Sequence, residues 1–124
     1  MMKLVYCLRR LPELSREEFQ SYWRENHGPL VRERAAVLGI RRYVQVHTLD
    51  SPLNEAMRAS RGSDSDIFDG IAELWWDSAE DFSARARTDE GRQAARELYE
   101  DEKRFIDFSR SMAFVAEENP FVGD

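Results

Sequence analysis

Residues 15–31 hold both the start of a helix and its interruption, and this pairing constrains the fold more than any other stretch. Ser15 followed by Glu18 is a capping box, in which hydroxyl and carboxylate each satisfy a backbone N–H left open at a helix start. The helix therefore begins near Arg16. Phe19, Tyr22, Trp23, His27, Leu30, Val31 and Leu38 then recur at helical spacing, as one buried stripe. His27 falls inside that stripe. Pro29 has no N–H for the carbonyl of Glu25 and its ring clashes there, while Gly28 loosens the backbone, so a kink or short break is predicted at His27 to Pro29. A carbonyl freed beside an imidazole puts a polar spot in an apolar wall.

The rest of the chain changes period several times. A short apolar run through Leu4, Val5, Tyr6, Cys7 and Leu8, closed by Leu11-Pro12, predicts a first strand over 3–10. Ile40 to Leu49 alternates with period two, as does Phe68 to Trp76. Between them, residues 50–66 are rich in Ser, Asp, Arg, Gly and Pro, which predicts a long surface loop or lid with one helical turn at Leu53 to Ala59. Ser78 with Asp81 caps a helical region that breaks near Thr88 to Gly91 and resumes to Phe105, and Ser109 to Glu117 forms the last strand. The order is strand, helix, strand, strand, helix, strand. Within a single domain over 1–124, that order predicts an α+β ferredoxin-like βαββαβ fold, a four-stranded antiparallel sheet with helices on one face.

Such a sheet has a second face. The alternation assigns Tyr43, His47, Ile71 and Trp75 to it, too apolar for water, so a homodimer packed through the open sheet face is expected, with clefts between sheet and helices.

Composition removes several classes of function. With 42% hydrophobic and 34% charged residues over 124 positions, the chain reads as a soluble globular protein, and no apolar run approaches the roughly 20 residues of a membrane span. The N-terminus lacks a secretory pattern, which predicts a cytoplasmic location. A net charge of -6 argues against nucleic acid as a partner, because such binding draws on phosphate neutralisation. Cys7 stands alone, so no internal disulfide forms, and no ligand spacing suggests a metal. Phosphate-binding glycine loops and the dinucleotide fingerprint are absent, so no bound cofactor is expected.

Three stretches resemble the EthD-like group of the dimeric α/β barrel superfamily: Phe19-x-x-Tyr22-Trp23-x-x-x-His27-Gly28-Pro29-Leu30, Asp69-Gly-Ile-Ala-Glu-Leu-Trp75, and Arg104-Phe105-Ile106-Asp107. The resemblance implies a ferredoxin-like subunit, a barrel-forming dimer and a small-molecule cleft; the aromatic wall around His27 makes a small, largely apolar or aromatic molecule the expected ligand. The group is named for a protein associated with ether degradation and is often labelled oxidoreductase. It includes relatives linked to tailoring of aromatic polyketides. Residue by residue, it points at Tyr22, Trp23, His27, Gly28, Pro29 and Asp107.

Each candidate has two readings. His27 either ties down the kink, bonded to a freed carbonyl such as that of Glu25 or to the second helix, or serves as general acid or base, since its ordinary pKa lies near neutrality. Asp107 either turns the chain into the last strand or orients His27 as its acid partner. Tyr22 is expected near the cleft and Trp23 in the core. Tyr43, His47 and Trp75 are candidate substrate contacts with a dimer contact as the alternative, and the acidic run Glu97 to Glu102 reads as a solvated helical face. Two functions fit. One is a cofactor-independent oxidoreductase or dehydratase/cyclase working by proton transfer at His27; the other is a non-catalytic ligand-binding or accessory protein.

Overall fold

The computed structural model describes residues 1–123. Four strands, β1 (Met2–Leu8), β2 (Arg42–His47), β3 (Gly70–Trp76) and β4 (Met112–Ala116), form one antiparallel sheet in the order β2-β3-β1-β4. This is the predicted ferredoxin-like plan. Helix α1 (Arg16–Tyr22) starts at the predicted capping box, with Ser15 Oγ accepting from the Glu18 N–H at 3.0 Å and Glu18 Oε1 from the Ser15 N–H at 2.8 Å. After a π-helical turn over Trp23–His27 the chain continues as α2 (Gly28–Leu38), with Pro29 in its first turn. The predicted break at His27 to Pro29 is thus a widened turn that ends at His27, just before Gly28 and Pro29. Pro29, with no N–H to donate, stands at the changeover from π to α spacing.

Among the described residues three further α-helices follow, α3 (Pro52–Arg61), α4 (Ala79–Ala86) and α5 (Asp89–Glu102), with a 3-10 turn at Phe108–Arg110 leading into β4. Ser78 and Thr88 cap α4 and α5, where the sequence placed a cap and a break. Residues 50–66 are the first correction. They hold a ten-residue helix, capped by Ser51 at its start and ended by Gly62 at φ 63. None of its side chains is buried, and its apolar stripe is limited to Leu53, Ala56 and Met57, too short to mark out a ten-residue helix among so many polar residues.

The pairing register sorts the two faces of the sheet, since directly opposed residues share a face. Tyr6 opposes Ala72 and Ala113, and Tyr43 opposes Leu74, so these side chains share the face on which Leu8, Phe19, Trp23, Val31, Leu74, Trp76, Phe105 and Ile106 form the core. Arg42 opposes Trp75, and Val46 opposes Ile71. Here lies the second correction. Tyr43 and His47 do not share the outer face with Ile71 and Trp75 but lie on the helix side. Alternation within one strand gives its two sets of side chains without saying which set faces inward; that depends on the register with the neighbouring strand.

Close packing anchors Trp23 over β3. A methyl group on Gly70 would overlap its indole and come 2.8 Å from the Val46 carbonyl oxygen, so only glycine lets the ring lie on the strand.

Candidate functional site

The π turn reorganises hydrogen bonding around one carbonyl. The Gly28 N–H donates to the oxygen of Trp23, five residues back, and Gln45 Nε2 donates to the same oxygen at 2.9 Å. Gln45 Nε2 also donates to the Tyr43 hydroxyl at 2.8 Å, which leaves its oxygen to accept from His47 Nε2 at 2.8 Å. The imidazole of His47 stacks on Trp23 with centroids 4.4 Å apart. Tyr43, Gln45 and His47 therefore clamp the π turn from the sheet side. Turns of this kind interrupt helices frequently at functional positions.

His27 ends that turn, buried against Phe105 at 5.0 Å between ring centroids. Its Nδ1 lies 2.7 Å from Asp101 Oδ2 on α5, and the other carboxyl oxygen of Asp101 accepts from the Tyr22 hydroxyl at 2.5 Å. With Nδ1 donating to a carboxyl oxygen, the neutral imidazole has its lone pair on Nε2. Burial lowers the pKa of His27 below its ordinary value, and the hydrogen bond and charge of Asp101 only partly oppose this. Near pH 7 the ring is neutral, a base rather than an acid. Burial, with the bond to Asp101 adding to it, pushes the Tyr22 hydroxyl up to about 12, so Tyr22 stays a proton donor to the carboxyl.

Beside His27 is a cavity of about 350 Å³ between the sheet and the helices. Its wall is mostly aliphatic and aromatic, from Leu4, Leu74, Trp23, Trp76, Leu98 and their neighbours, with His27, Tyr6, Tyr43 and Glu102 as its polar groups. The Glu102 carboxyl is raised to about 7, chiefly by burial, with the nearby Asp101 adding to it and the Tyr6 hydroxyl, donating at 3.4 Å, opposing it. Burial likewise takes Tyr43 to about 12 and raises Tyr6. The cavity thus presents a neutral base, two neutral hydroxyls and a carboxyl poised to gain or lose a proton near neutrality. Convergent groups of this kind in an apolar pocket suit proton transfer.

A family model for the EthD domain matches residues 11–109. The chain belongs to the EthD family. Among solved structures, this EthD chain is similar to an ethyl tert-butyl ether d (EthD) family protein from Bacillus halodurans C-125, with 24% identity over 96% of this chain and 99% of that one and a TM-score of 0.62. An EthD-like protein from Ralstonia eutropha JMP134 shares 20% identity over 94% of this chain and 90% of its own, with a TM-score of 0.58. A dimeric protein of ferredoxin-like fold from Bacteroides fragilis matches at 10% identity, covering 94% and 95% of the two chains with a TM-score of 0.58. These likenesses speak to the fold. No curated protein matches the chain.

In this EthD site the carboxyl beside His27 is that of Asp101, not Asp107. Asp107 lies beyond α5, where its N–H donates to the Arg9 carbonyl at 2.9 Å and its Oδ1 accepts from Ser109 Oγ at 2.7 Å, so it shapes the turn into β4. Of the residues expected to touch a ligand, Tyr43 lines the cavity, whereas Tyr22 is directed to Asp101 and His47 to Trp23 and Gln45. Trp75 faces away, covered by Lys3 and Arg42 at 4.8 and 4.6 Å from its ring, its Nε1 donating to Glu118 at 2.8 Å. The acidic run at the end of α5 is no uniformly wet face, since Asp101 and Glu102 turn inward. The signal was available in its spacing: Ala94, Ala95 and Leu98 continue helically to Asp101 and Glu102. Among the described residues, no group of three or more His, Cys, Asp or Glu side chains could hold a metal, and no helix is long and apolar enough to cross a membrane.

Proposed function

We propose that the chain binds a small, largely apolar or aromatic molecule between sheet and helices and acts on it by proton transfer at His27. The observation that carries this reading is His27 Nδ1 bonded to Asp101 at 2.7 Å while the same imidazole lines an apolar cavity. Nε2 would take a proton from an acidic C–H or O–H of the ligand, and Asp101 would stabilise the imidazolium that forms. Glu102, neutral over part of the physiological range, would hydrogen-bond to or protonate the ligand oxygen on which charge develops. Such a step serves a dehydration or cyclisation directly, and a cofactor-independent oxidation when an external electron acceptor such as dioxygen takes the electrons of the carbanion formed.

The test is deuterium exchange from D2O into a panel of aromatic ketones with acidic α-C–H bonds, followed by NMR. Exchange accelerated by the protein and reduced at least about 100-fold in His27→Ala, with the fold retained, is the expected result. Equal exchange by the two proteins overturns the mechanism. The double engagement of Asp101 by Tyr22 and His27 also supports a second reading, in which the cluster ties α1 to α5 in a non-catalytic ligand-binding protein. In that case His27→Ala lowers the melting temperature more than it lowers ligand affinity.

The working unit in this reading is a homodimer closed through the outer sheet face. Val46, Met112 and Phe114 stand exposed there, which supports burial against a second copy.

A further inference from the structure

In a chain with a net charge of -6, four arginines line one groove; the Arg42 guanidinium lies over Trp75 on the outer face, which leaves Arg24, Arg32 and Arg41 to charge it. The groove, about 400 Å³ in volume, lies between α2 and β2, and Arg24, Arg32, Arg41 and Arg42 line it without any carboxylate among the lining residues. Their nearest charged neighbours neutralise them little. Arg24 and Glu25 are 3.7 Å apart and Arg41 and Asp77 3.5 Å apart, both pairs more than half exposed, and Arg32 has no ion-pair partner among the described residues. Exposed pairs of this length contribute little and leave the positive potential standing.

The position of the groove gives the charge a use. Val31, Ile40 and Tyr43 belong both to the groove and to the apolar cavity that holds His27. A molecule can therefore lie with an apolar body against Trp23, Leu74 and Trp76 and an anionic group among the arginines. A guanidinium fork pairs two N–H donors with a carboxylate, sulfonate or phosphate, and several forks around one groove suit an anion better than a neutral polar group.

We propose that this arginine groove is the anion-binding end of the ligand site, and that the natural ligand is an amphiphile with an apolar or aromatic body and an attached anionic group. The proposal rests on the reading of the cavity as a ligand site. It also explains how an acidic protein admits an acidic ligand, since the local field at the entrance opposes the sign of the whole molecule.

Two fluorescent probes with the same aromatic body separate the two readings. 1-Anilinonaphthalene-8-sulfonate carries the anion, and N-phenyl-1-naphthylamine lacks it. At low salt the full-length protein should bind the sulfonate at least about tenfold more tightly, and the preference should shrink as salt screens the arginines. The variant R24Q/R32Q/R41Q changes exposed side chains only and keeps Arg42 over Trp75. It should abolish the preference while leaving the affinity for the neutral probe and the melting temperature within about twofold and a few degrees of the parent. R32Q alone, with no ion pair to disturb, should remove part of the preference. Equal binding of the two probes by the parent, or a sulfonate affinity unchanged in the triple variant, overturns the anion site and leaves the cavity reading intact. Failure of the protein to bind either probe overturns both.

Discussion

His27 Nδ1 and Asp101 Oδ2 are 2.7 Å apart, joining the end of the π turn to the last turn of α5. The bond engages Nδ1 and leaves Nε2 as the free ring nitrogen. Asp101 raises the pKa of His27 against a larger lowering by burial, so the two residues set its basicity together.

Replacing Asp101 with Asn keeps the shape of the carboxyl but removes its charge. Proton transfer should fall about 10- to 100-fold, as expected for a lost partner of a general base. Without the charge His27 should titrate lower still, so the acidic limb of the rate profile should move to lower pH. Exchange rates across pH 5 to 9, compared with thermal unfolding of the same variant, check this outcome. A change in melting temperature with the rate profile unmoved would assign the pair to structure alone.

Glu102 gives a stability signature of definite sign. Its carboxyl is raised to about 7 in the fold, so between its ordinary range near 4.5 and about 7 the native state holds more proton than the unfolded chain. Stability from this group is therefore present in acid and declines as pH rises through 7. His27 acts oppositely, losing its contribution as pH falls below its unfolded value near 6.5. Glu102→Gln removes only the first effect. The variant should match the parent near pH 5 and exceed it by about 1–3 kcal/mol near pH 8, read from denaturant melts at the two values.

Gly70→Ala should cost about 1–3 kcal/mol by forcing the Trp23 ring off β3. Trp23 carries the carbonyl on which Gly28 and Gln45 converge, so the loss should spread to the π turn. Urea melts followed by tryptophan emission measure both. A neutral result would mean that the indole has room to shift, contrary to the overlap described.

On the outer face, Phe114→Asp places a charge at a half-exposed position paired with Val5. Sedimentation should show the parent as a dimer and the variant as a folded monomer. A variant that remains dimeric would locate the interface elsewhere.

Much of the fold was legible because local signals and periodicity agreed. The capping box, the alternating strands and the serine cap at Ser78 lie where Ser15, Glu18, Val44 and Ser78 indicated. Helix α3 was less visible, for Leu53 and Met57 face outward and leave only Ser51, Pro52 and Gly62 to mark its ends. Within the site, His27 was conspicuous as a polar residue on an apolar stripe. Asp101 and Glu102 continue the stripe of Ala94, Ala95 and Leu98, but their place in a run of charges masked it, and that Asp101 meets His27 depends on how α5 packs against α2 and the π turn, a tertiary property. Tyr43 and His47 were separable from Trp75 only through strand register.

The widened turn over Trp23–His27 means that the segment from Arg16 to Leu38 carries one residue more than an unbroken α-helix would need to span the same two ends. Removing one position between Arg24 and Asn26 would let this turn close to an ordinary α-helical one, with the segments on either side kept in phase. What would be lost is the five-residue reach by which Gly28 meets the Trp23 carbonyl, and with it the opening that Gln45 enters, so a shortening here would be felt at the site and not in the direction of the rod.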